Sequence, residues 1–228
     1  MNLLCGSFAV VAALMYNDLT LAFWLIVAGI VFDFFDGFVA RLLHSSSAIG
    51  VQLDSLADVI TSGLAPAAVL WQVCLQTEPC WLPEGWKLGY GVFVLTAFSA
   101  LRLAKFNIDE TQTVEFCGLP TPAGSLLCAS LGMLWQQGML ALSSDGVLLV
   151  AVLTSLLLVS PIRMFALKFH GFGWRGNEVR YLFLLASIVL IIILRTYAIP
   201  VIIVLYIVVS AVRWLCMRSG NPDKAPKA

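Results

Sequence analysis

Long apolar runs are the feature that most restricts the fold of this chain. A helix needs about 20 mostly apolar residues to cross a bilayer, and short polar breaks divide this sequence into eight runs of roughly that kind. Charged residues make up only 11% of the chain, against about 25% in a typical soluble domain. We therefore predict an all-α, polytopic transmembrane bundle of about eight helices. The runs are 2–16, 19–43, 50–74, 88–107, 120–142, 146–167, 178–195 and 198–216.

The polar breaks predict one domain rather than several. Residues 1–217 are expected to form a single transmembrane domain, followed by a polar cytoplasmic tail over 218–228. Pro161 lies inside the sixth run and is expected to kink that helix. A short turn near Arg195–Pro200 is expected to separate the last two helices. The first run is short for a span, which leaves open whether further residues precede it.

The distribution of Lys and Arg predicts the orientation of the bundle, because these residues concentrate in cytoplasmic loops. With a cytoplasmic N-terminus and eight crossings, only Lys87 and Arg195 of the 13 basic residues fall on the outer side. We therefore expect a multi-pass protein of the cell (inner) membrane with both termini in the cytoplasm. The formal net charge is zero, which argues against nucleic acid as a partner.

Four aspartates lie inside two of the apolar runs. An ionised Asp at the centre of a membrane helix costs roughly 2.5–3.5 kcal/mol, so such residues need compensation. Asp33 and Asp36 share one face of the second predicted helix, and Asp54 and Asp58 share one face of the third. The short connection predicts antiparallel neighbours whose acidic faces meet near the cytoplasmic boundary. The alternative is a set of interfacial carboxylates solvated at helix ends.

Carboxylates that converge in apolar surroundings repel one another unless protons or cations compensate. Oxygen ligands suit hard ions such as Mg²⁺ or Mn²⁺ rather than zinc. Four carboxylates can hold two such ions, the arrangement that promotes phosphoryl displacement. The sequence therefore predicts a divalent metal site whose ligands are Asp33, Asp36, Asp54 and Asp58.

The four aspartates belong to a longer pattern, D-x2-D-G-x2-A-R-x8-G-x3-D-x3-D, which begins at Asp33 and ends at Asp58. This pattern resembles the signature of the CDP-alcohol phosphatidyltransferases. The resemblance implies a membrane enzyme that transfers a phosphatidyl group from a CDP-linked lipid to an alcohol and releases CMP. It also implies that Asp33, Asp36 and Asp54 bind the metals, and that Asp58 completes the metal site and serves as general base.

The same resemblance implies which residues contact the CDP moiety of the lipid. In the signature these residues are Gly37, Ala40, Arg41 and Gly50, and in the first helix Asn2 joins them. Size alone supports two interpretations of the small residues, since they allow either close approach of helices or room for a ligand.

Three further segments resemble the membrane-embedded phosphatidylserine synthases within that family. Residues 2–6 resemble N-L-x-C-G, residues 116–123 resemble F-x-G-L-P-T-P-A, and residues 102–107 resemble R-L-A-R-F-N with Lys105 in place of the more usual Arg. The resemblance implies CDP-diacylglycerol as donor, L-serine as acceptor, CMP as product, and a homodimer.

Arg102 and Thr121 are the candidate serine contacts. A guanidinium group suits a carboxylate or a phosphate, but an Arg at a helix end also serves as an interfacial anchor whose charge extends toward the headgroups. Thr121 equally serves to shape the first turn of its helix. Two other functions stay open: the same chemistry with glycerol phosphate or inositol phosphate as acceptor, and a divalent cation transporter, which would spread acidic residues through the membrane depth.

Overall fold

The computed structural model describes residues 1–43, 47–81, 88–108, 115–165 and 177–220. Helices account for most of these residues, and two short strands form a small ribbon. In chain order the elements are α1 (Asn2–Leu14), α2 (Leu19–Leu42), α3 (Ala48–Asp58), a π-helical turn (Val59–Leu64), α4 (Ala65–Gln76), a 3₁₀ turn (Leu88–Phe93), α5 (Val94–Ile108), β1 (Glu115–Cys117), α6 (Thr121–Gln136), α7 (Ser144–Leu158), β2 (Arg163–Phe165), α8 (Glu178–Leu194), a 3₁₀ turn (Arg195–Tyr197) and α9 (Ala198–Gly220).

The predicted all-α polytopic class is confirmed, but the number of helices differs. The described residues form seven continuous helical segments rather than about eight, because the turn expected near Arg195–Pro200 is itself helical. Arg195 has a φ of 48°, so the chain changes direction there within the 3₁₀ turn. Phe183 of α8 and Tyr206 of α9 have ring centroids 5.8 Å apart, which shows that the two helices fold back on each other as a hairpin.

Four of the helical segments are long and apolar enough to cross a membrane. They are Leu19–Ala40, Ile49–Gln76, Gly89–Ile108 and Glu178–Cys216, and the last contains the α8–α9 hairpin. The helices α1 and α7 are also apolar but shorter, with 13 and 15 residues. Large apolar side chains of α8 such as Leu182 and Ile192 are exposed, as a lipid-facing surface requires. The protein is a multi-pass membrane protein.

The helix predicted over 146–167 with a kink at Pro161 is wrong. α7 ends at Leu158, and the residues after Pro161 form β2, which pairs antiparallel with β1. Pro has no N–H to continue a helix, and the Ile162 carbonyl instead accepts a hydrogen bond of 2.9 Å from the Gly118 amide. Gly118 has a φ of 77°, and a Cβ there would lie 2.2 Å from the Leu158 carbonyl oxygen, so the ribbon requires glycine at this position.

The end of the bundle that lies away from the aspartates is called the opposite end. Hydrogen bonds of its side chains to the backbone and to one another hold it together. Gln136 Oε1 accepts hydrogen bonds from the Leu19 and Thr20 amides at 2.8 and 3.0 Å. Gln76 Nε2 donates to Asn17 Oδ1 at 2.9 Å. These bonds join the beginning of α2 to the ends of α4 and α6.

The core lies where α1, α2, α4 and α6 pack together. Alanines on α1 and α4 allow the helices to approach closely, while larger side chains fill the space between them. This packing holds α1 against both α2 and the α3–α4 helix, the two segments that carry the aspartates. The fully buried core residues include Ala9, Ala13, Leu19, Phe23, Ile26, Ala65, Ala68, Val69 and Leu70.

Candidate active site

Asn2 of α1 joins the aspartates of the two acidic helices. Its side chain is only 4% exposed. The amide Nδ2 donates to Asp33 Oδ1 at 3.1 Å and to Asp58 Oδ1 at 2.9 Å. The sequence predicted that the acidic faces of the two helices meet. The structure adds that Asp33 and Asp58 are joined through a residue of a third helix.

The other two aspartates lie on the open side of this arrangement. Asp54 is exposed, and its carboxyl group is within hydrogen-bonding reach of the Asp33 carboxyl group. Asp36 is also exposed, with Oδ2 3.8 Å from the Met1 amino nitrogen. Two carboxyl groups as close as those of Asp33 and Asp54 need a proton or a cation to offset their repulsion. The alternative of separate, solvated carboxylates does not describe this pair.

The donor set fits a hard divalent cation by its chemistry. It contains only oxygen ligands, the kind that Mg²⁺ and Mn²⁺ prefer, and the buried Asn2 Oδ1 beside them has no hydrogen-bond partner among the described residues. In the described ranges, no group of three or more His, Cys, Asp or Glu side chains is arranged to hold a metal ion. Oxygen donors suit a hard divalent ion, but the described residues do not form a coordination shell.

The small residues of the signature border open space rather than a neighbouring helix. A Cβ at Gly37 would meet nothing within 4 Å, and one at Gly50 would meet only the Ser47 Oγ, at 3.1 Å. Ser47 caps α3 by accepting a 3.0 Å hydrogen bond from the Gly50 amide. The interpretation as sites of close helix approach is therefore wrong for these two glycines, and room for a ligand is the remaining one. Ala40 is half-buried, and the Arg41 side chain lies outside the described part of the structure.

Arg102 is buried rather than extended toward the membrane surface. Its side chain is 8% exposed, and Nη1 donates to Thr121 Oγ1 at 2.9 Å. Asn107, further along α5, donates through Nδ2 to Ser55 Oγ of α3 at 2.8 Å, so α5 packs against the helix that carries Asp58. The alternative role as an interfacial anchor is therefore wrong. Both candidate serine contacts belong to one buried pair.

The same arginine borders a cavity of about 360 Å³. Its lining also includes Lys105 and Phe106 of α5, Cys117 of β1, and residues 158–161 at and after the end of α7. Two cationic side chains thus line a small cavity whose other walls are largely apolar. This lining suits a small anionic or zwitterionic molecule.

The segment that follows Asp58 has a local structure that the sequence pattern did not predict. Residues Val59–Leu64 form a π-helical turn, and the fully buried Thr61 donates through Oγ1 to the Asn2 carbonyl oxygen at 3.1 Å. Single π turns inside α-helices occur frequently at functional sites. An apolar helical pattern does not distinguish a π turn from an α turn, so the small residues Ser62 and Gly63 within it are the only sequence signal that could have indicated this segment.

A helical membrane bundle that joins the carboxylates of two helices through Asn2, and buries an arginine at the edge of a cavity, is consistent with a membrane-embedded enzyme. A family model described as CDP-alcohol phosphatidyltransferase matches residues 1–162. The chain belongs to this family.

Several characterised relatives share the match over most of their length. A protein of Bacillus subtilis is 33% identical over 173 residues, covering 75% of this chain and 88% of the relative. One of Helicobacter pylori is 31% identical over 200 residues, covering 86% and 80%. One of Mycobacterium tuberculosis is 32% identical over 241 residues, covering 98% and 81%. All three are named CDP-diacylglycerol–serine O-phosphatidyltransferase, so the resemblance predicted from the sequence is confirmed.

Proposed function

We propose that this protein transfers the phosphatidyl group of CDP-diacylglycerol to the hydroxyl of L-serine, giving phosphatidylserine and CMP. The observation that carries the proposal is the hydrogen bonding of Asn2, whose side-chain amide joins Asp33 at 3.1 Å and Asp58 at 2.9 Å. The names of the relatives from Bacillus subtilis and Mycobacterium tuberculosis support the same choice of substrates.

Asp58 is the group that we assign to proton transfer. A general base must be ionised and within hydrogen-bond reach of the hydroxyl that it activates. An acceptor whose carboxylate is bound by Arg102 in the cavity would direct its hydroxyl toward Asp58. The hydroxyl oxygen forms a bond to the lipid-side phosphorus, the bond from that phosphorus to CMP breaks, and the hydroxyl proton passes to Asp58. Thr121 holds the guanidinium in place through its 2.9 Å bond with Nη1.

The metal site is the second part of the proposal. Asp33, Asp36, Asp54 and Asp58 would hold Mg²⁺ or Mn²⁺, with enough carboxylates for two ions. Such ions neutralise charge that develops on phosphoryl oxygens. Removal of metal with EDTA is expected to abolish CMP release, and added Mg²⁺ or Mn²⁺ is expected to restore it. Undiminished turnover after complete chelation would reject a metal-dependent mechanism.

The contacts with CDP stay predictions. The open space beside Gly37 and Gly50 leaves room for a nucleotide near the aspartates, with Ala40 and Arg41 on the same segment of α2. Asn2 has a different local role, because its amide group is bonded to Asp33 and Asp58. A direct contact between Asn2 and CDP would involve its unpartnered Oδ1.

The choice of acceptor is tested by CMP release from the purified protein. We expect CDP-diacylglycerol and metal to give CMP with L-serine, and not with glycerol 3-phosphate or inositol phosphate, when each is supplied at equal concentration. Turnover that depends on a phosphorylated alcohol would reassign the acceptor while keeping the reaction class. Metal uptake into proteoliposomes without CMP release would favour a cation transporter. The hydrogen bonds from backbone amides to Asp145 at the opposite end argue against a continuous acidic path.

The orientation and assembly are also proposals. The basic residues favour an active site that faces the cytoplasm of the cell membrane, with both termini on that side. In a cysteine-free background, Leu43→Cys at the end of α2 should react with a membrane-impermeant maleimide only from inside, and Tyr16→Cys before α2 only from outside. The reverse labelling would overturn the orientation. The family resemblance favours a homodimer, which mass measurement of the detergent-solubilised protein would detect.

A further inference from the structure

Two polar side chains of the π-helical turn are buried in the interior of the bundle. The turn follows Asp58 directly and joins α3 to α4. A π turn adds a residue to the helical repeat, so side chains after it point in directions that an α-helix would not give them. Thr61 and Ser62 within the turn are 0% and 1% exposed. The turn therefore places a polar group deep inside the bundle, one turn away from the carboxylate of Asp58.

Thr61 fits closely against glycines of two other helices. A Cβ at Gly6 of α1 would lie 2.2 Å from Thr61 Oγ1, and a Cβ at Gly29 of α2 would lie 2.7 Å from Thr61 Cγ2. Real Cβ atoms do not approach other atoms so closely, so both positions need glycine while Thr61 is present. The threonine is thus wedged between α1 and α2, and its hydroxyl and methyl groups each face a different helix.

Thr61 also bonds to Asn2, the residue that bridges the aspartates. Thr61 Oγ1 donates to the carbonyl oxygen of Asn2 at 3.1 Å, in a fully buried contact. Asn2 is the first residue of α1, and the N-cap residue Met1 makes no side-chain hydrogen bond to this end of the helix. The Thr61 hydroxyl is therefore a fixed point for the backbone from which the Asn2 amide reaches Asp33 and Asp58.

We propose that Thr61 is a positioning residue for the transfer reaction, which acts through Asn2 on the orientation of Asp33 and Asp58. Thr61 touches neither carboxylate. It fixes the backbone of Asn2 so that the side-chain amide can donate to both Asp33 and Asp58. This fixes the orientation of the Asp58 carboxylate. Displacement of a reacting group by about 1 Å can lower a rate about 100-fold. The inference rests on the proposed function, because it needs a reaction that uses these aspartates.

The first test separates the hydroxyl from the shape of the side chain. Thr61→Val keeps the shape but removes the donor, and we expect kcat to fall about 10-fold or more while the KM for serine changes little. Thr61→Ser keeps the hydroxyl and should stay near the wild-type kcat. Thr154→Val is the matched control: Thr154 is also buried, and its Cγ2 also packs against a glycine, Gly124. That control should alter the melting temperature but not kcat.

The second test uses the double variant with Asn2. If Thr61 acts through the Asn2 side chain, Thr61→Val should have almost no further effect on kcat once Asn2→Ala has been made. An undiminished effect of Thr61→Val in the Asn2→Ala background would overturn the proposal. So would a Thr61→Val protein with wild-type kcat.

A third variant keeps the proposal testable if Thr61→Val does not fold. Gly29→Ala introduces a methyl group that would lie 2.7 Å from Thr61 Cγ2 and 3.2 Å from Asn2 Oδ1, and should lower kcat. The double variant Gly29→Ala with Thr61→Ser relieves the closer of these contacts and should regain part of the activity. Failure to regain it would contradict the proposal. Absence of CMP release by the wild-type protein with serine would instead reject the proposed function, so the two failures are distinguishable.

Discussion

The two ends of the bundle satisfy their polar groups in different ways. At the opposite end, the side-chain oxygens of Gln136 and Asp145 accept several backbone hydrogen bonds each. Gln136 accepts from two backbone amides, and Asp145 accepts from the amides of Cys80, Trp81 and Gly146. At the aspartate end Asp33 and Asp58 share the single amide of Asn2.

The unpartnered buried atoms reinforce this difference. Asn2 Oδ1 and Arg102 Nε are buried without a hydrogen-bond partner among the described residues, and the Asn2 amide bonds to the aspartates themselves. A buried polar atom that lacks a partner costs about 1–3 kcal/mol. The opposite end is therefore organised for stability, whereas the aspartate end keeps unsatisfied groups, as a ligand site does.

The largest effect should come from the acids that we assign to metal alone. Asp33→Asn, Asp36→Asn and Asp54→Asn should each abolish turnover, because an amide is a weaker ligand for a hard cation. Each change also removes a charge from a repelling group, so the melting temperature should not fall. CMP release and thermal unfolding of the same preparation measure the two effects. A near-wild-type rate in any variant would remove that residue from the metal site.

Substitution of Asp58 should differ from substitution of Asp54 in its effect on the rate and on lipid-nucleotide binding. Loss of a general base typically lowers a rate about 10²- to 10⁴-fold, so Asp58→Asn should reduce the single-turnover rate by that factor and retain binding of CDP-diacylglycerol. Asp54→Asn should lose both. If the two variants lose lipid-nucleotide binding equally, Asp58 is chiefly a ligand and the base lies elsewhere.

Arg102 should affect the acceptor rather than the donor lipid. Hydrogen bonds to charged groups contribute about 1.5–3 kcal/mol, so Arg102→Lys, which loses the planar fork, should raise the KM for serine about 10-fold or more. The KM for CDP-diacylglycerol in the same variant serves as the control and should stay near its wild-type value. Equal increases in both would show that Arg102 maintains the fold of the site and does not select the acceptor.

The smallest effect should come from the opposite end and should be limited to stability. Gln136→Ala removes the acceptor for the Leu19 and Thr20 amides at the start of α2. Loss of a helix cap costs about 1 kcal/mol, so the melting temperature should fall while kcat is unchanged. Gln136→Glu retains an accepting oxygen and should be less destabilised. A fall in kcat with Gln136→Ala would show that the two ends are coupled.

Local pattern was sufficient to predict the residues of the candidate site but not all of their contacts. Helical spacing placed Asp33 with Asp36, and Asp54 with Asp58, because residues three or four apart share a helix face. Arg102 was singled out, yet its burial depends on α6, which supplies Thr121. The interpretation of Gly37 and Gly50 as sites of close helix approach was wrong. Only the positions of the other helices show what lies beside a glycine.

The sequence by itself determined that this chain is a polytopic helical membrane protein and which acids are candidates for its chemistry, because apolar length and the spacing of charges are properties of each segment alone. Tertiary structure alone decided that Asn2 bridges Asp33 and Asp58, that a π turn wedges Thr61 between α1 and α2, and that Ile162 pairs with Gly118. Each of these depends on which distant segments become neighbours. Packing settles that question through the fit of side chains from several helices, which no single segment encodes.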